Sequence, residues 1–239
     1  MQQAALDAAG LGEGWHYQLL PVPPELLAET VRALPGAGFA GANATIPHKE
    51  AALALADEAS PAAREIGAAN TLSFAGGRVA ADNTDAPGLM AALPGPPPGT
   101  ALVLGAGGSA RAAAYALRGL GAAVSVLNRT RDRAEALAAD LGVQAVSAPH
   151  PADLLVNCTS VGLADPAACP IDPAWTADFA IVADLVYGPR ETALIAAARA
   201  AGAETVDGRE VLVRQGALSF ERWTGRPAPL EVMRRAILG

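Results

Sequence analysis

A glycine-rich turn constrains the fold of this chain more than any other stretch. Residues 105–110 read Gly-Ala-Gly-Gly-Ser-Ala, between the apolar residues 101–104 and a helical pattern over residues 109–120. In such a G-x-G-x-x-A turn the first glycine permits a tight bend, the second lets a pyrophosphate approach the backbone, and the third position allows close packing. The helix N-terminus favours the anion. The alternative is a tight strand–helix turn without a ligand. The predicted dinucleotide-binding residues are Gly105, Ala106, Gly107, Gly108, Ser109 and Ala110.

Strands and helices alternate after this turn. The predicted strands are residues 101–104, 122–127, 143–146, 154–156 and 181–185. The predicted helices are residues 109–120, 131–141 and 192–201. Because parallel strands need a crossover connection between them, this order predicts a parallel, doubly wound sheet of the Rossmann type.

The end of the second predicted strand indicates which dinucleotide binds. NAD sites usually carry Asp or Glu there, about 20 residues after the glycines, to bind the ribose 2′-hydroxyl. This chain has Asn128, Arg129 and Thr130 at that place, followed by Arg133. No carboxylate repels a 2′-phosphate there, and guanidinium groups are available to bind one. We predict NADP as the cofactor, the alternative being a solvated basic helix start.

A proline-rich segment at residues 94–99 reads as a linker between two domains. Before it, the predicted helices are residues 2–9, 25–34, 47–56, 60–67 and 85–93. The predicted strands there are residues 15–22, 38–45, 70–74 and 78–83. Two final predicted helices, residues 210–223 and 229–238, would complete this first domain. We expect a two-domain α/β protein, with a smaller α/β substrate domain at residues 1–97 and 209–239 and a Rossmann-like NADP-binding domain at residues 98–208.

Three polar clusters precede the linker, at residues 43–49, 67–71 and 82–85. Each falls at a predicted junction of strand and helix, where open α/β sheets bind ligands. Their Lys, Asn and Asp side chains supply donors and acceptors for a small polyhydroxylated molecule. Single residues keep simpler alternatives, since Asp85 suits a helix N-cap and Asn70 suits a turn.

Lys49 is the only lysine among 17 basic side chains. Arginine stays protonated at any working pH and cannot transfer a proton, whereas lysine can. A lysine retained in an arginine-rich chain therefore indicates a function that arginine cannot perform, although a surface lysine left by chance is the alternative. Asp85 would orient the ammonium group and form a proton-relay pair with it.

Composition excludes several functional classes. The 239 residues are 51% hydrophobic with a net charge of −7, which argues for a globular protein and against general binding to nucleic acid or anionic membranes. The two cysteines, Cys158 and Cys169, form no metal-type cluster, and no metal site is predicted. No signal peptide or membrane-spanning run is recognisable, and we expect a cytoplasmic protein.

The chain resembles the shikimate dehydrogenase family in ordered blocks that cover nearly its whole length. The blocks are residues 43–49, 67–71, 83–88, 105–111, 128–130, 157–162, 184–189, 208 and 215–217. The resemblance implies NADPH-dependent reduction of 3-dehydroshikimate to shikimate in aromatic amino-acid biosynthesis. It also implies that Lys49 is the catalytic acid/base and Asp85 its partner. The substrate residues that it implies are Thr45, Asn70, Asp85, Tyr187 and Gln215. The NADP residues that it implies are those of the glycine turn, with Asn128, Arg129, Thr130, Arg133 and, near the nicotinamide, Gly208.

The chain departs from the family at its start. The family normally begins with a strand and a Ser-x-Ser-Pro loop, whose hydroxyls bind the substrate carboxylate, and this sequence lacks both. We expect weaker substrate binding, since each hydrogen bond to a charged group contributes about 1.5–3 kcal/mol. Two alternatives stay open: a quinate/shikimate dehydrogenase with relaxed cofactor use, and an NADP-binding chain with impaired catalysis. The expected partner is a small-molecule substrate, with the protein a monomer or homodimer.

Overall fold

Two compact units make up the chain, which the computed structural model describes over residues 1–238. Unit 1 comprises Met1–Gly88 together with the chain from Leu212 onward, and unit 2 comprises Leu89–Val211. The proline-rich residues 94–99 fall in unit 2. The predicted division into a substrate domain and an NADP-binding domain, with boundaries after residues 97 and 208, stays a prediction.

Unit 1 contains a four-stranded mixed sheet with helices. Its elements up to the unit boundary are α1 (Gln2–Ala8), α2 (Leu27–Ala33), β1 (Gly41–Asn43), α3 (Lys49–Ala54), β2 (Glu58–Ala59), α4 (Pro61–Ile66), β3 (Thr71–Ala75), β4 (Arg78–Asp82) and the start of α5 (Asp85–Ala92). A 3₁₀ turn, Pro24–Leu26, precedes α2. The strand order is β1-β3-β4-β2, with β2 parallel to β4 and the other pairs antiparallel.

Residues 15–22 form no strand, so that prediction is wrong. The Tyr17 N–H donates to the Gln3 side-chain oxygen rather than to a neighbouring strand. A strand needs an adjacent backbone that exchanges hydrogen bonds with it, and Pro21 has no N–H to donate. The residue types of this segment predicted a strand, but they did not specify a partner for sheet pairing.

Local signals placed α4 and the β3–β4 hairpin correctly. Ser60 caps α4 by accepting the Ala63 N–H at 3.1 Å, and Gly67 ends the helix in the left-handed conformation with φ 74°. Gly76 and Gly77 turn the hairpin, also with positive φ. The helix cap and the glycine turns depend only on residues adjacent in the sequence, so α4 and the hairpin could be predicted from the sequence alone.

Unit 2 is a six-stranded parallel sheet. Its elements are β5 (Thr100–Leu104), α6 (Gly108–Gly119), β6 (Ala123–Leu127), α7 (Arg131–Leu141), β7 (Gln144–Val146), β8 (Ala152–Asn157), a 3₁₀ helix (Pro173–Asp178), β9 (Phe179–Asp184), α8 (Ala193–Ala200) and β10 (Glu204–Asp207). The strand order is β10-β9-β8-β5-β6-β7. From β5 the chain adds β6 and β7 on one side of the sheet and then β8, β9 and β10 on the other, which is the doubly wound arrangement. The predicted fold class is therefore confirmed, although the sequence patterns did not predict β10 and β2.

The sheet of unit 2 is buried on both faces. Ala101 and Val103 of β5 lie in one apolar cluster, whereas Leu102 and Leu104 lie in a second. All four are at most 3% exposed. Successive side chains of a strand point to opposite faces, so the continuous apolar run of β5 is what a doubly covered parallel strand requires.

Two C-terminal helices, α9 (Gly208–Thr224) and α10 (Leu230–Leu238), complete the described chain. Phe220 of α9 and Met233 of α10 share an apolar cluster with Ala5 and Leu6 of α1. The first and last helices of the chain thus pack together in unit 1. None of the helices described in residues 1–238 combines the length and apolar character needed to cross a bilayer.

Candidate active site

Lys49 and Asp85 form an ion pair in unit 1. Lys49 begins α3 and Asp85 begins α5, so each side chain projects from a first helical turn. The Lys49 Nζ lies 2.7 Å from Asp85 Oδ2, and the two side chains are 14% and 15% exposed. Water and salt screen such a partly buried pair less than a surface pair. The predicted proton-relay pair is in contact, while its catalytic role stays a prediction.

Asn70 joins Asp85 to two further side chains. Its Nδ2 donates to Asp85 Oδ1 at 2.9 Å, and it also lies within hydrogen-bond distance of Gln215 Oε1, at 3.0 Å, and the Thr84 hydroxyl, at 2.9 Å. Its Oδ1 accepts the Thr84 N–H at 2.7 Å. Asn70 is 2% exposed. Because this amide is buried and satisfied on both sides, it fixes the oxygen of Asp85 that faces away from the lysine.

The β3–β4 hairpin brings Asn70 to Asp85. Thr71 and Asp82 are register partners, so Asn70, just before β3, lies beside the residues that follow β4. The Asn70 N–H donates to the Asp82 carbonyl and extends the ladder by one bond. Two of the polar clusters in the sequence are therefore joined through strand register.

Gln215 of α9 reaches the same network because α5 and α9 approach closely. A Cβ added to Gly88 of α5 would lie 2.7 Å from Gln215 Cβ and 2.9 Å from its backbone nitrogen. Only glycine permits this contact, since real Cβ atoms do not approach other atoms within 3.0 Å. The Gln215 Nε2 donates to the Leu212 carbonyl at 3.1 Å, which orients its Oε1 towards Asn70.

Thr45, also predicted to bind substrate, lies in the turn between β1 and α3. It is exposed, and its carbonyl accepts the His48 N–H at 2.7 Å. This turn leads directly into Lys49. The structure thus gives Thr45 a place near the start of α3, and its side-chain role stays a prediction.

The glycine turn of unit 2 fits a bound dinucleotide. Gly105 has φ +108°, and an added Cβ would lie 3.2 Å from the Cys158 backbone, so the bend needs glycine. Gly107 precedes α6, and apart from its two chain neighbours no residue has an atom within 4 Å of an added Cβ there. The turn therefore leaves open space before the first N–H groups of a twelve-residue helix. This is the environment that a pyrophosphate requires.

The predicted 2′-phosphate residues follow β6. The Asn128 Nδ2 donates to the Thr130 carbonyl at 2.8 Å, which closes the turn into α7. Arg129 and Arg133 are exposed. Arg131 is paired with Glu135 of the same helix, at 2.6 Å. The donor set at this strand end is cationic and suits a phosphate monoester.

Tyr187 and Gly208 lie at the carboxyl ends of β9 and β10. Tyr187 is 43% exposed. A Cβ added to Gly208 would lie 2.7 Å from the Asp184 carbonyl oxygen and 2.8 Å from that of Val186. Gly208 is therefore required where α9 starts against residues 184–186. A shallow surface pocket includes Tyr187 in its lining.

The predicted site residues fall into two groups. Lys49, Asn70, Asp85 and Gln215 form one connected network in unit 1. The glycine turn, residues 128–133, Tyr187 and Gly208 lie at the carboxyl ends of strands in unit 2. In the described chain no group of three His, Cys, Asp or Glu side chains is placed to hold a metal ion.

Two buried residues have no role predicted from the sequence. Thr84 connects Asn70 to Gln215, with its hydroxyl 3.3 Å from Gln215 Oε1. Asp184 ends β9 and is 1% exposed. A charged residue at the end of an apolar strand was the signal that could have singled out Asp184.

Three family models match successive parts of the chain. Residues 1–72 match the shikimate dehydrogenase substrate binding domain, residues 98–160 match shikimate/quinate 5-dehydrogenase, and residues 208–238 match the shikimate 5′-dehydrogenase C-terminal domain. The matches follow the order of the sequence blocks that suggested the family.

Named relatives are similar over almost the whole chain. Shikimate dehydrogenase (NADP(+)) of Methylobacterium radiotolerans is 49% identical over an alignment of 232 positions, which covers 89% of this chain and 82% of the relative. The enzyme of the same name from Thermus thermophilus is 44% identical over an alignment of 247 positions, which covers 100% of this chain and 93% of the relative.

Solved structures share the fold. Shikimate 5-dehydrogenase of Thermus thermophilus, in complex with NADP(H) and shikimate, has a TM-score of 0.89 and 41% identity, covering 99% of this chain and 93% of that one. A ligand-free 5-ketofructose reductase of Gluconobacter has a TM-score of 0.84 and 34% identity, covering 99% and 91%.

Proposed function

This chain belongs to the shikimate dehydrogenase family, and we propose that it catalyses the reversible, NADP-dependent interconversion of shikimate and 3-dehydroshikimate. Family membership makes it an NADP-dependent oxidoreductase that acts on a CH–OH group. The choice of shikimate and the reversible direction are the proposed part. The contact between Lys49 and Asp85, held by Asn70, is the observation that carries the proposal.

Lys49 moves the proton in this proposal. In the oxidative direction its neutral amine takes the proton of the hydroxyl that becomes the ketone. In the reductive direction its ammonium returns that proton to the oxygen. Asp85 Oδ2, at 2.7 Å, keeps the Nζ in place throughout, and Asn70 holds the other carboxylate oxygen.

The residues proposed to bind shikimate offer both donors and acceptors. Asn70 and Gln215 present amide groups beside Asp85, and Thr45 adds a hydroxyl. Tyr187 is the remaining proposed contact. Such a set recognises a ring with several hydroxyl groups, because each hydroxyl both donates and accepts.

The residues proposed to hold NADP are those of the glycine turn, with Asn128, Arg129, Thr130, Arg133 and Gly208. When bound, the nicotinamide supplies or accepts the hydride. The α6 N-terminus would bind the pyrophosphate, and the guanidinium groups of Arg129 and Arg133 would bind the 2′-phosphate. Gly208 keeps the chain close to residues 184–186.

The test measures NADPH formation by the full chain with shikimate and NADP⁺. Parallel reactions replace shikimate by quinate and NADP⁺ by NAD⁺. The reverse reaction is followed as NADPH consumption with 3-dehydroshikimate and, in parallel, with 5-ketofructose. We expect a higher kcat/KM for shikimate than for quinate, for NADP⁺ than for NAD⁺, and for 3-dehydroshikimate than for 5-ketofructose. A higher value for quinate or for 5-ketofructose would reassign the substrate, and NADP⁺ binding without any turnover would contradict the proposed activity.

A further inference from the structure

Three neighbouring strands of unit 2 end in polar residues that share one register. Asn157 of β8 is paired with Asp184 of β9, and Asp184 is paired with Asp207 of β10. Asn157 and Asp184 are 0% and 1% exposed. Asp207 is partly exposed and forms an ion pair with Arg209, at a side-chain distance of 2.5 Å. Asp184 is therefore the buried member of a pair of register-matched carboxylates.

The Asp184 carboxylate accepts hydrogen bonds from three uncharged donors. Its Oδ1 accepts from Asn157 Nδ2 at 2.8 Å and from the Val186 N–H at 3.0 Å. Its Oδ2 accepts from the Thr192 hydroxyl at 2.6 Å. A buried carboxylate that makes three specific contacts costs desolvation energy, and it holds its partners in one arrangement.

These three contacts hold two loops. The first loop is residues 158–162, after β8, and the second loop is residues 185–192, after β9. Asn157 Oδ1 accepts the Thr159 N–H at 3.0 Å, and Thr159 Oγ1 accepts the Val161 N–H at 3.1 Å, so the first loop is built upon Asn157. Thr192 caps α8 by accepting the Ile195 N–H, which fixes the end of the second loop.

The second loop contains Tyr187. The Val186 N–H donates to the Asp184 carboxylate, and Gly208 packs on the backbone of residues 184–186. Tyr187 itself is exposed. The position of its ring therefore depends on the backbone that Asp184 holds.

We propose that Asp184 is a positioning residue: its buried carboxylate fixes the backbone at Val186 and the end of the loop at Thr192, and so places Tyr187 for the substrate. The inference rests on the proposed function, because Tyr187 is assigned to shikimate there. Asp184 does not itself contact the substrate. Its effect on activity passes through Tyr187.

A double-mutant cycle on the full chain tests this dependence. The proteins are wild type, Asp184→Ala, Tyr187→Ala and the double variant, and the measurement is KM and kcat for shikimate at saturating NADP⁺. We expect each single variant to raise KM about tenfold, and the double variant to raise it no more than the larger single effect. A rise equal to the product of the two single effects would overturn the proposal.

Asp184→Asn distinguishes position from charge. The amide oxygen still accepts from Asn157 and Val186, and the new NH₂ donates to the Thr192 hydroxyl, which can accept. We expect KM within about threefold of wild type. A KM as high as that of Asp184→Ala would contradict positioning through these three hydrogen bonds.

Asp153→Ala is the matched control. Asp153 also accepts three hydrogen bonds, from Gly99 N–H and from the N–H and hydroxyl of Thr100, but it lies at the amino end of the sheet. We expect its KM for shikimate to stay within about twofold of wild type. An equal rise in this variant would assign the effect to general destabilisation.

Hydrogen exchange without any ligand separates this inference from the proposed function. Asp184→Ala should speed exchange in peptides covering residues 157–162 and 184–192, whereas Asp153→Ala should not. Thr192→Val removes one of the three contacts together with the cap of α8, and it should speed exchange in residues 184–189, ahead of that cap, even if Asp184→Ala does not fold. Unchanged exchange there would overturn the positioning role, whereas faster exchange in a chain that does not oxidise shikimate would overturn only the proposed function.

Discussion

Proton transfer separates lysine from arginine at the residue scale. The guanidinium stays protonated at any working pH, so arginine can bind an anion but cannot exchange a proton with a substrate. In this chain the single lysine is in contact with Asp85, and Asn70 holds the same carboxylate. The residue type could be singled out from the sequence. The distance from Lys49 to Asp85 could not be predicted, because the two residues are 36 positions apart and only the tertiary packing of α3 and α5 brings them together.

Two register-matched carboxylates have opposite pKa shifts. Burial raises the pKa of Asp184 above its ordinary value, and the hydrogen bonds from Thr192, Val186 and Asn157 only partly offset this. Burial also acts to raise the pKa of Asp207, but the hydrogen bonds and charge of Arg209 outweigh it, so that the pKa is lowered. The stability contributions of Asp184 and Asp207, which are neighbours in the sheet, therefore change with pH in opposite directions.

Asp184→Asn and Asp207→Asn should change the pH dependence of unfolding in opposite directions. With a raised folded pKa, Asp184 contributes stability that is present below its unfolded pKa of about 3.8 and is lost as pH rises through the folded value. The free energy of unfolding of Asp184→Asn, relative to wild type, should therefore increase from about pH 4 to about pH 7.

The contribution of Asp207 to stability changes with pH in the opposite direction, because its pKa is lowered. Its stabilising contribution is present above the unfolded pKa and is lost as pH falls through the folded value, so Asp207→Asn should be less stable than wild type near neutral pH and approach it in acid. Urea unfolding from about pH 2 to about pH 7 measures both variants, because the Asp207 contribution is lost mainly below its unfolded pKa of about 3.8. If the free energy of unfolding relative to wild type changed with pH in the same direction for both variants, the opposite pKa shifts of Asp184 and Asp207 would be contradicted.

At the element scale, local signals predicted structure best. The α6 start, the Ser60 cap of α4 and the glycine hairpin of β3 and β4 each depend on a few adjacent residues. Residues 15–22 were wrongly predicted as a strand because pairing depends on a neighbour. Strand β2 has two residues and is too short to show a period.

The contact of α5 with α9 gives a prediction about Gly88. Gly88→Ala should push α9 away, because the new Cβ would lie 2.7 Å from Gln215 Cβ, and should displace Gln215 from Asn70. We expect a loss of stability of about 1–3 kcal/mol and a raised KM for shikimate. Thermal unfolding and steady-state kinetics measure the two effects.

Gly119→Ala is the control for the change of residue type. Gly119 lies in α6 with no atom within 4 Å of an added Cβ. Alanine there should be neutral or stabilise by about 0.5–1 kcal/mol, through the lower entropy of the unfolded chain. Equal destabilisation of both variants would show that close packing at Gly88 is not the cause.

The start of α7 gives a prediction about cofactor choice. Arg133→Ala should weaken NADP⁺ binding about tenfold and leave NAD⁺ binding nearly unchanged, because only NADP⁺ carries the 2′-phosphate. Arg131→Ala is the matched control, since Arg131 is paired with Glu135, and it should have little effect. Titration of each variant with both dinucleotides measures this. Equal losses for the two cofactors in Arg133→Ala would place the 2′-phosphate elsewhere.

For the whole molecule, the sequence predicted unit 2 more completely than unit 1. Parallel strands connected by helices follow one another in the chain, so the parallel, doubly wound sheet could be predicted from their alternation. In unit 1 the network of Asn70, Asp85 and Gln215 joins residues up to 145 positions apart. Such contacts depend on how α9 packs, which no local pattern specifies.

Proton transfer by Lys49 is tested most directly by the turnover number of Lys49→Arg for NADPH formation from shikimate and NADP⁺, measured beside Lys49→Ala and wild type. Arginine keeps a cation beside Asp85 but cannot release its proton. We expect both variants to lose turnover by roughly 100-fold or more, with shikimate binding little changed. Turnover of Lys49→Arg close to that of wild type would contradict proton transfer by Lys49.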